Sequence, residues 1–307
     1  MKQAVLPGEA AARPEVREES PLARAWSDFI ESRSAVGGLI LFAAIVAMAV
    51  LAPWITPQDP YDLAQLDIMD GNLPPGERSM TGMTFWLGTD DQGRDMLSAI
   101  IYGLRMSLVV AALSTLIALA IGMSVGVIGA YFGGRTDSLI MRIVDLQLSF
   151  PAILVALILL AIVGKGVDKV IVALIIVQWA YYARTVRGTA LVERRKEYIE
   201  AAACLALSHR RVVFSHLLPN CLPPLIVVAT VQVANAIALE ATLSFLGVGV
   251  PITEPSLGLL IANGYDYLLS GDYWISFFPG IALVVTIVAI NLMGDQLRDV
   301  LNPRLRR

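Results

Sequence analysis

The sequence predicts an all-α polytopic membrane protein with six transmembrane helices and both termini on the cytoplasmic side. Three observations lead there. Hydrophobic residues fill 56% of the 307 positions and charged residues only 16%, with a mean hydropathy of +0.68, whereas a soluble domain of this size carries about 25% charge. The apolar residues are gathered into runs long enough to need lipid around them. Lys and Arg are then shared very unequally between the segments on either side of those runs.

Residues 1–33, rich in Ala, Glu, Arg and Pro, show no apolar stripe before 22–30. They predict a disordered start and a short amphipathic helix over 21–33 on the membrane surface, with a plain polar tail as the equal alternative. The start also lacks the basic, apolar and small-residue pattern of a cleavable signal peptide. The first span covers 36–53, and a polar segment rich in Pro, Gly and Asp follows over 54–103.

The second span lies within 104–132, with Gly122, Gly126 and Gly129 at helical spacing for close contact with a neighbour. The turn GGRTD at 133–137 closes it, and the third span covers 139–164, with Arg142 and Asp145 near its start. Pro151 predicts a kink there or a late helix start. The fourth span, 170–183, is short and borrows a turn at each end, with Lys169 and Arg184 reaching to the interfaces. The fifth covers 222–250 and the sixth 275–294.

With the N-terminus inside, eighteen Lys and Arg fall in inner segments and four in outer ones, leaving Arg105 at a membrane edge. That places 54–103 and 249–274 outside and 197–220 inside. The formal net charge of −3 is small and gives no reason to expect a nucleic-acid partner. Cys204 and Cys221 cannot form a disulfide framework, and both read as small packing residues.

One polar stretch, EYIEAAACLALSHRRVVFSHLLPN at 197–220, stands apart from the lipid-seeking runs. It predicts a helix over 197–207 with Ile199, Ala203 and Ala206 as its apolar face. A second helix, capped by Ser208, runs over 209–218 with Val213, Phe214 and Leu217 buried, and Pro219 ends it. Ala201, Ala202 and Ala203 let another surface approach closely, and the flanking Glu193, Arg194, Arg195, Glu197, Glu200, Arg210 and Arg211 can pair with a partner. An ordinary solvated cytoplasmic helix is the plainer reading.

Other chemistry finds little support. The one Gly-Lys pair, Gly164–Lys165, is followed by Gly166, so the phosphate-cradling GxxxxGK[ST] loop is missing. His209 and His216 are seven apart with no Cys or carboxylate at ligand spacing, so no metal site is expected. Asp90, Asp91 and Asp95 lack the alternation of a calcium loop, and Thr89 or Asp90 reads as a helix cap. Gln232, Asn235 and Glu240 form a loose polar stripe on the fifth span. An acid inside a span faces a cavity or a partner; a structural hydrogen bond is favoured over a pathway role for Glu240, and more strongly for Asp145 and Asn291.

The 197–220 stretch resembles the coupling loop of ABC importer permeases, whose pattern is Glu-Ala-Ala, three residues, Gly, and an apolar-Leu-Pro ending. Glu200, Ala201 and Ala202 match, as do His216, Leu217, Leu218, Pro219 and Asn220, with Tyr198 just ahead. Ala206 stands where that family has glycine. Alanine takes the left-handed turn only at a steric cost, so a less sharp turn, or one placed a residue later, is expected.

The segments WLGTDDQGRD (86–95), LSFPAILVA (148–156), EATLSFLGVG (240–249), PSLGLLI (255–261) and GDQLRDVLNPR (294–304) resemble the dipeptide/oligopeptide/nickel permease family, C-type subunit, so the likeness covers nearly all of 35–304. The resemblance implies the type I ABC importer permease fold in a bacterial cytoplasmic membrane. It implies peptide import, or import of nickel, glutathione or opines by the same mechanism. It also implies a homologous B-type permease, two ATPase subunits that hold ATP and Mg, and an extracytoplasmic solute-binding protein. No cofactor is expected on this chain, and lipid is its remaining partner.

On that reading, 1–34 is a cytoplasmic tail with a surface helix and 35–304 the permease domain. The domain contains an external loop at 54–103 and a cytoplasmic coupling loop at 191–221; 305–307 is a tail. The competing class is an ion-coupled secondary transporter using Glu240, which would call for inverted repeats with broken helices.

Overall fold

The computed structural model describes residues 21–301 apart from 61, 80 and 81. The expected disordered start and the 305–307 tail lie outside the described residues.

A short amphipathic helix, α1 (Pro21–Glu31), runs at Ser32 into α2 (Arg33–Ile55), whose first turn the Ser32 hydroxyl caps at the Ala35 N–H. Pro53 sits in the last turn of α2. The described residues of 56–95 then make two single 3₁₀ turns and many local hydrogen bonds. Gly93 closes it in the left-handed region, where a Cβ would meet the Asp67 carbonyl at 2.1 Å.

The second spanning helix, α3 (Met96–Phe132), starts well before the expected 104. Its cap is Asp95, which accepts from the Ser98 N–H and hydroxyl, and not Thr89 or Asp90. Thr89 instead holds the loop, donating to the Asp70 carbonyl and accepting from the Leu73 N–H.

After a turn at Gly133 comes α4 (Gly134–Leu148), and after Pro151 comes α5 (Ala152–Val163). The two are bent by 88°, so the expected third span is a broken one and not a kinked rod. Proline disfavours the helical conformation for the residue before it and supplies no N–H, while Ser149 closes α4 by bonding the Asp145 carbonyl.

Helix α6 (Val167–Glu193) runs parallel to α3. Gly122 and Gly126 bring the two together: a Cβ at Gly122 would meet the Trp179 carbonyl at 2.3 Å, and one at Gly126 the Val186 side chain at 2.2 Å. Gly129 makes only ordinary contact, with Asp137 at 3.4 Å.

The polar stretch forms α7 (Glu197–Cys204) and α8 (His209–Arg211), then a π-helical segment (Val212–Leu217) that flows into α9 (Leu218–Phe245). Pro219 therefore does not end a helix, contrary to the sequence expectation. It is the second residue after the π-helical segment, in the first turn of α9. Phe214 and Ser215, one turn before it, are exposed, so a carbonyl left without its N–H can face solvent.

Helix α10 (Leu257–Tyr265), in the outer segment to which the sequence assigned no helix, is capped by Ser256 and lies so close to α9 that a Cβ on Gly258 would meet the Ala241 carbonyl at 2.1 Å. The last helix, α11 (Trp274–Leu301), extends past the expected sixth span at its C-terminal end and packs on α2 and α9. Trp274 donates to the Thr89 carbonyl at 3.1 Å, tying the 56–95 segment to the start of α11.

Among the described residues, five helices are long and apolar enough to cross a membrane, or six with α4 and α5 counted as one span. Their inner faces meet in clusters around Val110, Leu174 and Ile237, around Tyr182, Leu217 and Leu225, and around Met96, Leu257 and Ile275. Large apolar side chains also cover the outside, among them Leu116, Ile158, Ile162 and Val284. In water such a surface would aggregate; in lipid it is solvated.

Candidate functional site

At one end of the bundle, α7 and α8 make an elbow. The Leu205 N–H bonds the Ala201 carbonyl at 3.0 Å and the Leu207 N–H reaches back to Ala202 at 3.2 Å, the pattern of a Schellman helix end. Such an end needs a left-handed residue, and Ala206 provides it with φ 52°. The turn is thus neither relaxed nor displaced. Ala206 itself carries the strain, and it is exposed and not part of an apolar face. Ser208 sits at the start of α8 in extended conformation but makes no side-chain capping bond.

The inner side of the elbow is fastened by packing and by polar bonds. Ile199 and Ala202 are buried with Val127, Val186, Val212, Leu217 and Cys221. Tyr198 donates to Glu193 at 2.6 Å and Lys196 bonds the other carboxylate oxygen at 2.6 Å. Burial, with the Glu193 carboxylate beside it, pushes the Tyr198 phenol up to about 12, so it stays a donor at physiological pH. Arg194 donates to the Ala130 carbonyl at 3.0 Å and stands over the Tyr131 ring, while the Tyr131 hydroxyl meets His209 Nδ1 at 2.6 Å. His209 thus ties the elbow to the end of α3.

The outer side is free. Glu200, Ala201, Arg210 and Arg211 are exposed, and so are Leu205 at 75% and Phe214 at 66%. Phe214 was expected on the buried side; Val212 takes that place. Cys204 is exposed where a packing role was expected, and Cys221 is buried. His216 is half-buried, its carbonyl accepting from Asn220 Nδ2 at 2.7 Å, and Pro219 is exposed.

Further into the bundle, the polar stripe of α9 divides. Gln232 and Asn235, joined by a 2.8 Å hydrogen bond, line a cavity of about 440 Å³ with Gln178 and Tyr181 of α6. Glu240 is elsewhere: it is 0% exposed, accepts from Ser107 at 2.7 Å and from Ser244 at 2.9 Å, and joins α9 to α3. Asp145 forms an ion pair with Arg184 and Asp137 one with Arg187, fixing α4 on α6, while Asn291 is exposed. Sequence reading missed Gln178 and Tyr181. The only signal for them was a polar pair within an apolar run, which had no visible partner before α6 met α9.

Residues 118–307 match the family described as "Binding-protein-dependent transport system inner membrane component". Residues 20–75 match "N-terminal TM domain of oligopeptide transport permease C". The chain is 36% identical to a di/tripeptide transport system permease protein of Pseudomonas aeruginosa, over 96% of either chain. It is 38% identical to a dipeptide transport system permease protein of Escherichia coli, over 94% of this chain and 95% of that one. A putative peptide transport system permease protein of Brucella suis is 40% identical over 94% of each. Among solved structures, the MetNI methionine ABC transporter in inward-facing conformations has a chain that aligns with a TM-score of 0.55 at 24% identity. That alignment covers 67% of this chain and 98% of that one, and it bears on the fold alone.

Proposed function

The chain belongs to the family of binding-protein-dependent transport system inner membrane components, and from that premise we propose that it is a peptide-importing permease subunit driven by ATP. In this reading both termini face the cytoplasm of a bacterium, the 56–95 segment faces outward, and di- or oligopeptides pass inward. The relatives named above are peptide permeases, which supports peptides over nickel, glutathione or opines.

The elbow of α7 and α8 is the observation that carries the proposal. Its inner side is locked to α3, α6 and α9, while its outer side offers acid, base and two large apolar groups. A part fastened to the spans and open outside can pass a push from a second protein into them as a rigid unit. The sequence encodes no phosphate loop, so ATP and Mg would sit on two separate ATPase subunits, with hydrolysis absent from this chain. Tyr198, Glu200, Ala201, Ala202, Ala206, His216 and Pro219 form the elbow or its continuation into α9. A homologous B-type permease would close the open side of the 440 Å³ cavity, a solute-binding protein would deliver peptide from outside, and lipid would surround the spans. No nucleic-acid partner is part of this reading.

An ion-coupled mechanism through Glu240 is the weaker reading. That carboxylate is enclosed by hydroxyl donors and does not line the cavity. The proposed coupling is tested by Glu200→Arg in the assembled complex. Peptide uptake and its ATPase stimulation should fall at least tenfold while the protein stays at normal level in the membrane. Unchanged coupling would remove Glu200 from the docking role.

A further inference from the structure

The cavity between α5, α6 and α9 has a chemistry of its own. Among the described residues, its walls hold no ionisable side chain apart from the Tyr181 phenol. Gln178, only 3% exposed, uses one amide atom, Oε1, to accept from Thr115 at 3.2 Å, and its Nε2 has no partner among the described residues. Turning that amide over would exchange the atoms and still leave one of them alone. A buried amide half-satisfied in this way is a cost to the fold, and its Nε2 is closed off from the open space.

From α9, Asn235 Nδ2 donates to Gln232 Oε1 at 2.8 Å. That bond leaves Gln232 Nε2 and Asn235 Oδ1 for a third group. An N–H donor and a carbonyl acceptor side by side on an uncharged wall complement a secondary amide, whose C=O accepts and whose N–H donates. A charged peptide terminus would require a counter-charge, and a metal would require carboxylate, imidazole or thiolate; the cavity has none of these. Its size falls within the range of about 300–1,000 Å³ usual for small-molecule sites, and Tyr181, 42% exposed, leaves it open at the chain surface.

We infer that this cavity is a subsite that reads the peptide bond of the cargo through Gln232 and Asn235, and not its terminal charges. The inference rests on the peptide-import reading. It makes these two side chains positioning and specificity residues for the transport step, after the binding protein has already selected its ligand.

The test compares alanyl-alanine with alanyl-lactate, the ester of the same shape that lacks the N–H, in proteoliposomes holding the complete complex. Each is supplied on saturating binding protein, so that the maximal uptake rate is read and the capture step drops out. The wild-type complex should carry the amide about fivefold faster, the effect of one neutral hydrogen bond. In Asn235→Leu, which removes the acceptor for the cargo N–H at an exposed position, the ratio should fall to about one, whatever the absolute rates. In Gln232→Met, which removes a donor to the C=O that both compounds carry, both rates should fall and the ratio should stay at about five. A wild-type ratio of one, or a ratio unchanged in Asn235→Leu, would overturn the subsite while leaving the importer intact. Absence of ATP-dependent uptake of either compound by wild type would overturn the importer reading itself, and the subsite with it.

Discussion

At Ala206 the chain holds an alanine with φ 52° in a turn where a residue without a Cβ would fit at no cost. The left-handed conformation costs alanine about 1–2 kcal/mol. Ala206→Gly should therefore slow hydrogen exchange across 205–212 and leave uptake intact, while Ala206→Val should speed that exchange; no difference between the two would show that the turn is not under strain. A second residue-scale effect sits at Asp90, enclosed in the 56–95 segment. Burial pushes its carboxyl up to about 6, against the pull of the Arg94 and Gln92 N–H groups. Because the folded value lies above the unfolded value of 3.8, the folded segment favours the protonated acid. Stability from this group is complete below that lower value and is lost as pH rises through about 6, amounting to about 3 kcal/mol. Asp90→Asn keeps an Oδ1 for the two N–H groups at 2.9 Å. It should slow amide exchange of 88–95 at pH 7 and leave it unchanged at pH 4; equal exchange at pH 7 would contradict the burial argument.

Among the elements, α3 and α6 depend on two missing side chains. Gly122→Val would drive a branched group into the Trp179 carbonyl and Tyr182, and the protein should be lost from the membrane fraction. Gly129→Ala, where the nearest atoms are at ordinary contact distance, should accumulate normally; equal loss of both would mean that this helix pair is not held by close approach. How far the elements were legible follows from the same physics. Apolar runs, caps and helix-breaking residues are local, so the six runs, the α7 helix and the break at Pro151 could be read from the chain. The 88° bend could not, because proline gives the place of a break and packing of α4 on α6 gives its angle. Pro219 misled because a π turn just before it lets the helix continue. The α10 helix was hidden in a nine-residue apolar segment that helix and loop share equally until Gly258 is seated on Ala241.

Over the whole molecule, two features face different tasks. The elbow is closed inside and open outside, suited to receive a push; the amide-lined cavity is open at the chain surface, suited to be completed by a second permease. Glu200 and the elbow were legible through their local pattern, and Gln232 and Asn235 through polarity within a span. Gln178 was not, because its unsatisfied amide exists only once α6 lies beside Thr115 of α3 and the cavity forms. The central claim, that ATP hydrolysed on partner subunits moves peptide through this chain, is tested most directly by uptake into proteoliposomes. With permeases, ATPases and binding protein present, peptide should accumulate only when ATP is supplied, and removal of the ATPase subunits should abolish it. Uptake that persisted without those subunits and followed a proton gradient would contradict the account.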